Sequence, residues 1–237
     1  MTTLRDDTTP TLSVIVFAYN EAENIAAVLA ELRGWLREHE PHAEVVFVDD
    51  GSRDGTSDCA TAALAGCAHR VLRHERNRGI GAALKTGVAA ARAPWVTFLP
   101  ADGQVPPAAI GTLRAAARAD DVDLVLSVYE HRDDGLDRKL LSWGMRALVR
   151  LVHGVRLESD GPYLFRRALF VADVLVPDSF FLNLEFPIRV LATGHASRVV
   201  RIHCRPRLGG ASKSARAGTV VRIARDILDF RVRRWRE

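Results

Sequence analysis

Cysteine and lysine are both scarce in this chain. The three cysteines, Cys59, Cys67 and Cys204, are odd in number and none belongs to a Cys-x-x-Cys pair. That pattern argues against a disulfide framework and against a cysteine zinc site, and it fits a reducing cytoplasm. Lysine is limited to Lys85, Lys139 and Lys213, so the formal net charge of +4 is carried almost wholly by arginine, a side chain suited to two-point contact with phosphate. Long apolar runs are lacking as well. No stretch approaches the roughly eighteen apolar residues that a spanning helix requires. The polar start of the chain (Thr2, Thr3, Arg5, Asp6, Asp7) has no signal-peptide core. Any membrane contact is therefore expected to be peripheral, on the cytoplasmic face.

What is present is ordinary for a globular protein. The 237 residues are 48% hydrophobic and 26% charged, which excludes disordered and fibrous classes and suffices for one α/β core. The expected organisation is an unstructured N-terminus over 1–10, an α/β domain over 11–215 and a basic amphipathic C-terminal helix over 216–237. In that last segment Arg222, Arg225, Arg231, Arg233, Arg234 and Arg236 outnumber Asp226, Asp229 and Glu237.

Short apolar runs at 12–18, 45–48, 71–73, 95–99 and 122–128 read as buried strands. Helical periodicity falls between them: after Asn20 as cap with Glu23 as its capping-box partner, from Thr56, over 81–92 and over 107–119. Such alternation predicts a mostly parallel sheet covered on both faces, with ligands at the carboxyl ends of its strands. Beyond residue 130 the expectation is a long amphipathic helix over 136–152, an irregular stretch, a helix over 185–193, a strand over 199–203 and the basic final helix.

Four strand ends carry polar or glycine-rich segments: Tyr19, Asn20 and Glu21; Asp49, Asp50, Gly51 and Ser52; Asn77, Arg78, Gly79 and Gly81; and Asp102, Gly103 and Gln104. One alone reads as turn chemistry. Four on one sheet edge suggest a site. The Gly79/Gly81 segment lacks the third glycine of a dinucleotide fingerprint and does not follow the first strand, which argues against a Rossmann dehydrogenase.

Together with Arg207, Gly210, Ser212 and Lys213, these segments resemble family 2 GT-A glycosyltransferases, above all the dolichyl-phosphate mannose synthases and polyprenyl-phosphate glycosyltransferases. The matching stretches, 13–24, 48–56, 77–84, 101–104 and 207–213, keep the family's order through nearly the whole chain. The resemblance implies a GT-A fold and inverting transfer of a hexose from a GDP- or UDP-sugar to a polyprenyl phosphate. It implies that Ala18, Tyr19 and Glu21 surround the base and that Asp50 holds base or ribose. Asp102, with Gln104, would hold Mg²⁺ or Mn²⁺ on the donor diphosphate, although Pro100 replaces the first acid of the family's Asp-x-Asp. Arg207 and Lys213 would supply charge to the diphosphate, and Arg132, Arg138 and Ser212 would meet the acceptor phosphate. Tyr129 stands where relatives commonly carry an arginine.

Relatives also place an acid before a segment like 161–167. Glu158 or Asp160 fills that position, and Asp160 is preferred because it adjoins the turn. Of a later Asp-x-Glu only Glu185 remains, after Asn183; it would orient the acceptor or act as base, and helix capping accounts for it equally well. A phosphate acceptor is already anionic and needs positioning more than a base, which favours it over a hydroxyl. The alternatives are the same donor chemistry on a soluble metabolite or saccharide, and a nucleotide-binding homologue that has lost catalysis. No nucleic-acid partner is expected.

Overall fold

The computed structural model describes residues 9–130, 136–205 and 217–235, with 136–142 and 217–223 described by backbone alone. Strand and helix alternate through the first half: β1 (Leu12–Ala18), α1 (Ala22–His39), β2 (Ala43–Asp49), α2 (Thr56–Ala63), β3 (His69–Arg73), α3 (Ile80–Ala90), β4 (Trp95–Pro100), α4 (Ala108–Ala119) and β5 (Leu124–Tyr129). The second half holds α5 (Leu136–His153), β6 (Leu164–Arg166), α6 (Leu182–Ala192), β7 (Ser197–Ile202) and α7 (Ala217–Trp235), with 3₁₀ turns at Arg167–Leu169 and Ala172–Val174.

The strands form one sheet in the order β3-β2-β1-β4-β6-β5-β7. Pairing is parallel in β1–β2, β1–β4, β2–β3 and β5–β7, and antiparallel on both sides of β6. The mostly parallel sheet agrees with the alternation in the sequence. The strand β6 lies in the stretch expected to be irregular; three residues are too few to show a period, and only their place between β4 and β5 makes them a strand.

Burial alternates along the strands, as a sheet covered on both faces demands. Val14 and Val16 face a core closed by α1, α2 and α4, where Ile25, Leu29, Leu32, Ile110 and Leu113 are buried. Ile15, Val96 and Phe98 face the other core, closed by α3, α5, α6 and α7. Its centre is aromatic: Tyr163 meets Phe98 edge-on at 4.8 Å and Phe165 lies 4.7 Å from Phe186. The basic final helix belongs to this core. Ile227 and Phe230 are fully buried, and the His153 ring stacks on Phe230 at 4.7 Å and bonds the Ile227 carbonyl at 3.1 Å.

The expected capping box of α1 does not form. Asn20 sits at φ +53°, and its side chain accepts from Arg53 N instead of capping the helix. Glu21 is the N-cap residue and makes no side-chain cap bond. Asparagine tolerates the left-handed region, and the adjoining loop offers stronger partners than the helix's own first turn.

Glycines mark where backbones touch. A Cβ on Gly81 would lie 2.6 Å from the Asp178 carbonyl carbon and 2.6 Å from the Ser179 oxygen, whereas one on Gly34, inside α1, meets nothing within 4 Å. Gly81→Ala should therefore destabilise the protein by about 1–3 kcal/mol. Gly34→Ala should be neutral or stabilise it by up to about 1 kcal/mol. Denaturant midpoints of the two variants check this, and equal midpoints would contradict the close approach of 81 to 178–179.

Candidate active site

The register sets the site. Ala18 lies opposite Asp49 and Phe17 opposite Pro100, so the loops after β1, β2 and β4 leave the sheet at one level. Four hydrogen bonds strap the first two loops together. Asn20 N donates to Ser52 Oγ (2.9 Å), Arg53 N to Asn20 Oδ1 (3.0 Å), Glu21 N to Thr56 Oγ1 (2.9 Å) and Ala22 N to Asp54 Oδ2 (3.1 Å). The last two satisfy the start of α1 from outside the helix. Burial works against charge on Asp54, but bonds from Thr56 and Ala22 hold its carboxyl below the usual range.

The two adjacent aspartates after β2 do different work. Asp49 is fully buried; its Oδ1 accepts from Ser52 N at 2.8 Å and its Oδ2 lies 3.4 Å from Arg73 Nε, so it builds the turn. Gly51 completes it at φ +78°, where a Cβ would fall 2.4 Å from Arg76 backbone carbon. Asp50, 5% exposed, reaches the third segment: Oδ1 accepts from Arg78 N (2.9 Å) and contacts His74 Nδ1 (2.7 Å), and Oδ2 accepts from Gly79 N (2.8 Å). The other nitrogen of His74 lies 2.9 Å from Thr86 Oγ1 on α3.

The start of α3 is occupied by protein. Ala82 N donates to the Asp178 carbonyl at 3.2 Å, and Gly79 and Gly81 press against 178–179. Lys85 Nζ and Arg78 hold the Asp178 carboxylate at 2.9 and 3.6 Å; burial raises that carboxyl, and the two cations bring it below its usual range. One amide of this helix N-terminus is therefore taken by protein, and the glycines serve chain packing.

Asp102 follows β4, half-buried, with Oδ1 accepting from Gln104 N at 3.1 Å. The Gln104 carbonyl accepts from Arg205 N at 2.8 Å, and Arg205 pairs with Glu31 of α1 at 2.9 Å. The loop of Asp102 is thus stitched to the end of β7. From there the chain enters 206–216, so Arg207, Ser212 and Lys213, like Arg132, lie outside the described residues; Arg138 lies in α5, described by backbone alone. Among the described residues no three His, Cys, Asp or Glu side chains cluster as a metal cage. One carboxylate and one carboxamide fit a hard ion held largely by substrate phosphate and water.

Ala18 is buried, Tyr19 is 37% exposed, and Glu21 is half-buried with Oε2 accepting from Asn24 Nδ2 at 3.1 Å. These three share the edge with Asp50, Asp102 and Gln104. Asp160 sits beside the end of β5, its backbone N bonded to the Ser127 carbonyl at 2.9 Å and its carboxylate 3.7 Å from Arg146 of α5. Glu158 lines a groove of about 760 Å³ with Trp143, Arg146, Arg150, Leu151 and Arg156.

Glu185 lies on α6, where it meets α7. It is fully buried; Oε1 accepts from Arg189 Nε at 3.1 Å and Oε2 from Arg233 at 2.9 Å. Burial pushes its carboxyl up against the pull of both arginines. Sequence reasoning did not single out His74, Thr86, Asp178 or Arg189, and it named Arg233 only as one of the C-terminal arginines. The short spacing from His74 to the Asn77–Gly81 segment was the available signal for the first.

Known proteins agree with this architecture. The model of Glycosyl transferase family 2 matches residues 13–180. A dodecaprenyl-phosphate galacturonate synthase of Rhizobium johnstonii is 29% identical over 153 residues, 63% of this chain and 45% of that protein. An undecaprenyl-phosphate 4-deoxy-4-formamido-L-arabinose transferase of Pseudomonas paraeruginosa is 31% identical over 208 residues, 85% of this chain and 60% of that protein. The chain spans about half to three fifths of the length of these curated relatives.

Among solved structures, glucosyl-3-phosphoglycerate synthase from Mycobacterium tuberculosis, in complex with Mn²⁺, UDP and glucosyl-3-phosphoglycerate, superposes with a TM-score of 0.71 at 22% identity, covering 93% of this chain and 78% of that one. Mannosyl-3-phosphoglycerate synthase from Rubrobacter xylanophilus gives 0.72 at 17% identity, covering 96% and 74%. At such identities the likeness concerns the fold, which is of the GT-A type. With the family model running from β1 past the four polar strand ends to the threshold of α6, this chain belongs to glycosyl transferase family 2.

Proposed function

We propose that the chain transfers a sugar from a nucleotide diphosphate sugar to a polyprenyl phosphate, by inverting displacement at a membrane surface. The observation that carries the donor half is the convergence of the Asp50 and Asp102 loops on one sheet edge beside Tyr19 and Glu21. The acceptor half is supported by the two polyprenyl-phosphate transferases to which the chain is similar.

In this reading Ala18, Tyr19 and Glu21 surround the base, and Asp50 offers its carboxylate to base or ribose. Asp102 and Gln104 would hold Mg²⁺ or Mn²⁺, which would supply positive charge to the leaving diphosphate. Arg207 and Lys213 add positive charge there, and Arg132, Arg138 and Ser212 meet the acceptor phosphate. Asp160, paired with Arg146, orients the acceptor side. Glu185 orients the acceptor side by fixing α7 through Arg233.

Asp102→Asn should lower turnover by about 10²-fold or more, as loss of a charge-stabilising group at the reacting centre does, with the fold unchanged. The check is transfer of radiolabelled sugar from UDP- and GDP-sugars to polyprenyl phosphate, with and without Mg²⁺ or Mn²⁺, alongside circular dichroism. Near-normal activity of the variant would remove the assigned role. Donor hydrolysis without lipid product would point to a soluble acceptor, and nucleotide binding without turnover to a catalytically inactive homologue.

The membrane part of the reading rests on surface chemistry. Among the described residues no helix is long and apolar enough to cross a bilayer. Trp143 and Leu151 on α5, and Leu228, Val232 and Trp235 on α7, are exposed, and these two helices pack on one another. Arg146, Arg150, Arg225 and Arg231 are exposed beside them. Basic helices with outward aromatic residues settle into an anionic interface. The protein should sediment with vesicles containing anionic lipid, and replacing Trp143 and Trp235 by alanine should weaken this about tenfold. Unchanged solubility in the presence of such vesicles would count against a lipid-side role.

A further inference from the structure

The His74 ring is a buried histidine outside every motif that marks the donor site, yet it touches the carboxylate at the centre of that site. We propose that His74 is a positioning residue for nucleotide binding, holding the Asp50 carboxylate in the orientation that meets the nucleoside. The proposal rests on the reading of Asp50 as a nucleoside ligand.

The geometry is a bridge between three elements. His74 N donates to the Asp49 carbonyl at 2.9 Å, which anchors its backbone to the end of β2. Its Nδ1 lies 2.7 Å from Asp50 Oδ1, and its Nε2 lies 2.9 Å from Thr86 Oγ1 on α3. The residue is 8% exposed, so the ring has little water to exchange partners with. An ionised carboxylate only accepts, so Nδ1 carries the proton; in the neutral ring Nε2 then accepts the Thr86 hydroxyl hydrogen. The direction of the Asp50 bond is consequently fixed.

A carboxylate has about four lone-pair positions. Among the described residues, Arg78 N, Gly79 N and His74 engage three on Asp50. The two backbone donors belong to a turn pressed against 178–179 and cannot follow the carboxylate if it rotates. His74 is the one side-chain donor of the set, and Thr86 prevents it from swinging away. Removing the ring leaves Oδ1 a single backbone donor and opens a void beside it, so the carboxylate gains rotational freedom that nucleotide binding must then remove.

The test is calorimetric titration of wild type, His74→Ala, His74→Asn and Thr86→Val with UDP and GDP in the presence of Mn²⁺, with melting temperatures and steady-state donor kinetics. The His74→Ala Kd for the preferred nucleotide should rise about tenfold, the loss expected for one bond to a charged group. The donor KM should rise with it while kcat moves less than about threefold, the signature of lost binding rather than lost transition-state contact. His74→Asn, whose side-chain N–H can replace Nδ1–H, should recover most of the affinity. Thr86→Val, which frees only the far side of the ring, should weaken binding about threefold.

Should His74→Ala fail to fold, Thr86→Val and His74→Asn carry the test. Nucleotide affinity equal to wild type in His74→Ala, or in Thr86→Val where the alanine variant is lost, would overturn the proposal and leave His74 a purely structural residue, even if the melting temperature fell. Wild type that binds neither nucleotide would instead remove the reading of the donor site, and this proposal with it.

Discussion

Because Ala18 pairs with Asp49 and Phe17 with Pro100, the chain leaves β1, β2 and β4 at one level, and the whole carboxyl edge is built on that level. In strands buried on both faces the side-chain period is two, so a slip of one residue would turn Val14 and Val16 toward the core that Ile15 fills. Packing on both faces thus holds the register that sets the loops. The strap between Asn20, Ser52 and Arg53 adds no reach of its own; it closes two loops that the register has already brought side by side.

Carboxylates divide the labour at this edge. Asp49, Asp54 and Asp178 spend their oxygens on backbone N–H groups, hydroxyls or nearby cations. Asp50 is a hybrid: it ties down the 74–79 segment and still belongs to the edge that Tyr19 and Asp102 share. Gly79 and Gly81 follow the same logic. Their missing side chains admit the backbone of 178–179, which places the stretch before α6 against the donor-side turn. A glycine-rich turn at a helix start is therefore not by itself a phosphate site, because here its glycines admit a neighbouring backbone and the Asp178 carbonyl takes the Ala82 amide.

The doubly covered sheet was legible because its strands are continuous apolar runs and its helices keep a clear period, as with Ile25, Val28, Leu29, Leu32 and Leu36 in α1. The polar strand ends were legible as a set, since Asp49 and Asp50, Gly79 and Gly81, and Asp102 each interrupt a different run. What escaped depends on tertiary partners. Three residues of β6 carry no period, and the capping of α1 by Thr56 and Asp54 joins residues more than thirty apart. The burial of Glu185 by Arg233 spans 48 positions, and no local pattern around either residue announces it. The role of His74 is hard to read for the same reason: its partners Asp50 and Thr86 lie 24 and 12 residues away on different elements, and only its short spacing to the Asn77–Gly81 segment hints at it.

The pairing of the remaining acids bears on the acceptor. Asp160 faces Arg146, and Glu185 is closed between Arg189 and Arg233 with no exposed surface. A general base must reach the proton it takes, directly or through one water, and a carboxylate whose two oxygens are already filled by guanidinium groups does not. Burial raises the Glu185 carboxyl, which would suit a base, but access decides before basicity does. A hydroxyl acceptor would therefore find little help from Glu185. A phosphate monoester needs none, since it arrives as an anion and asks only for cations to place it. The arginine-rich surface of α5 and α7 is the kind of surface that such an acceptor requires.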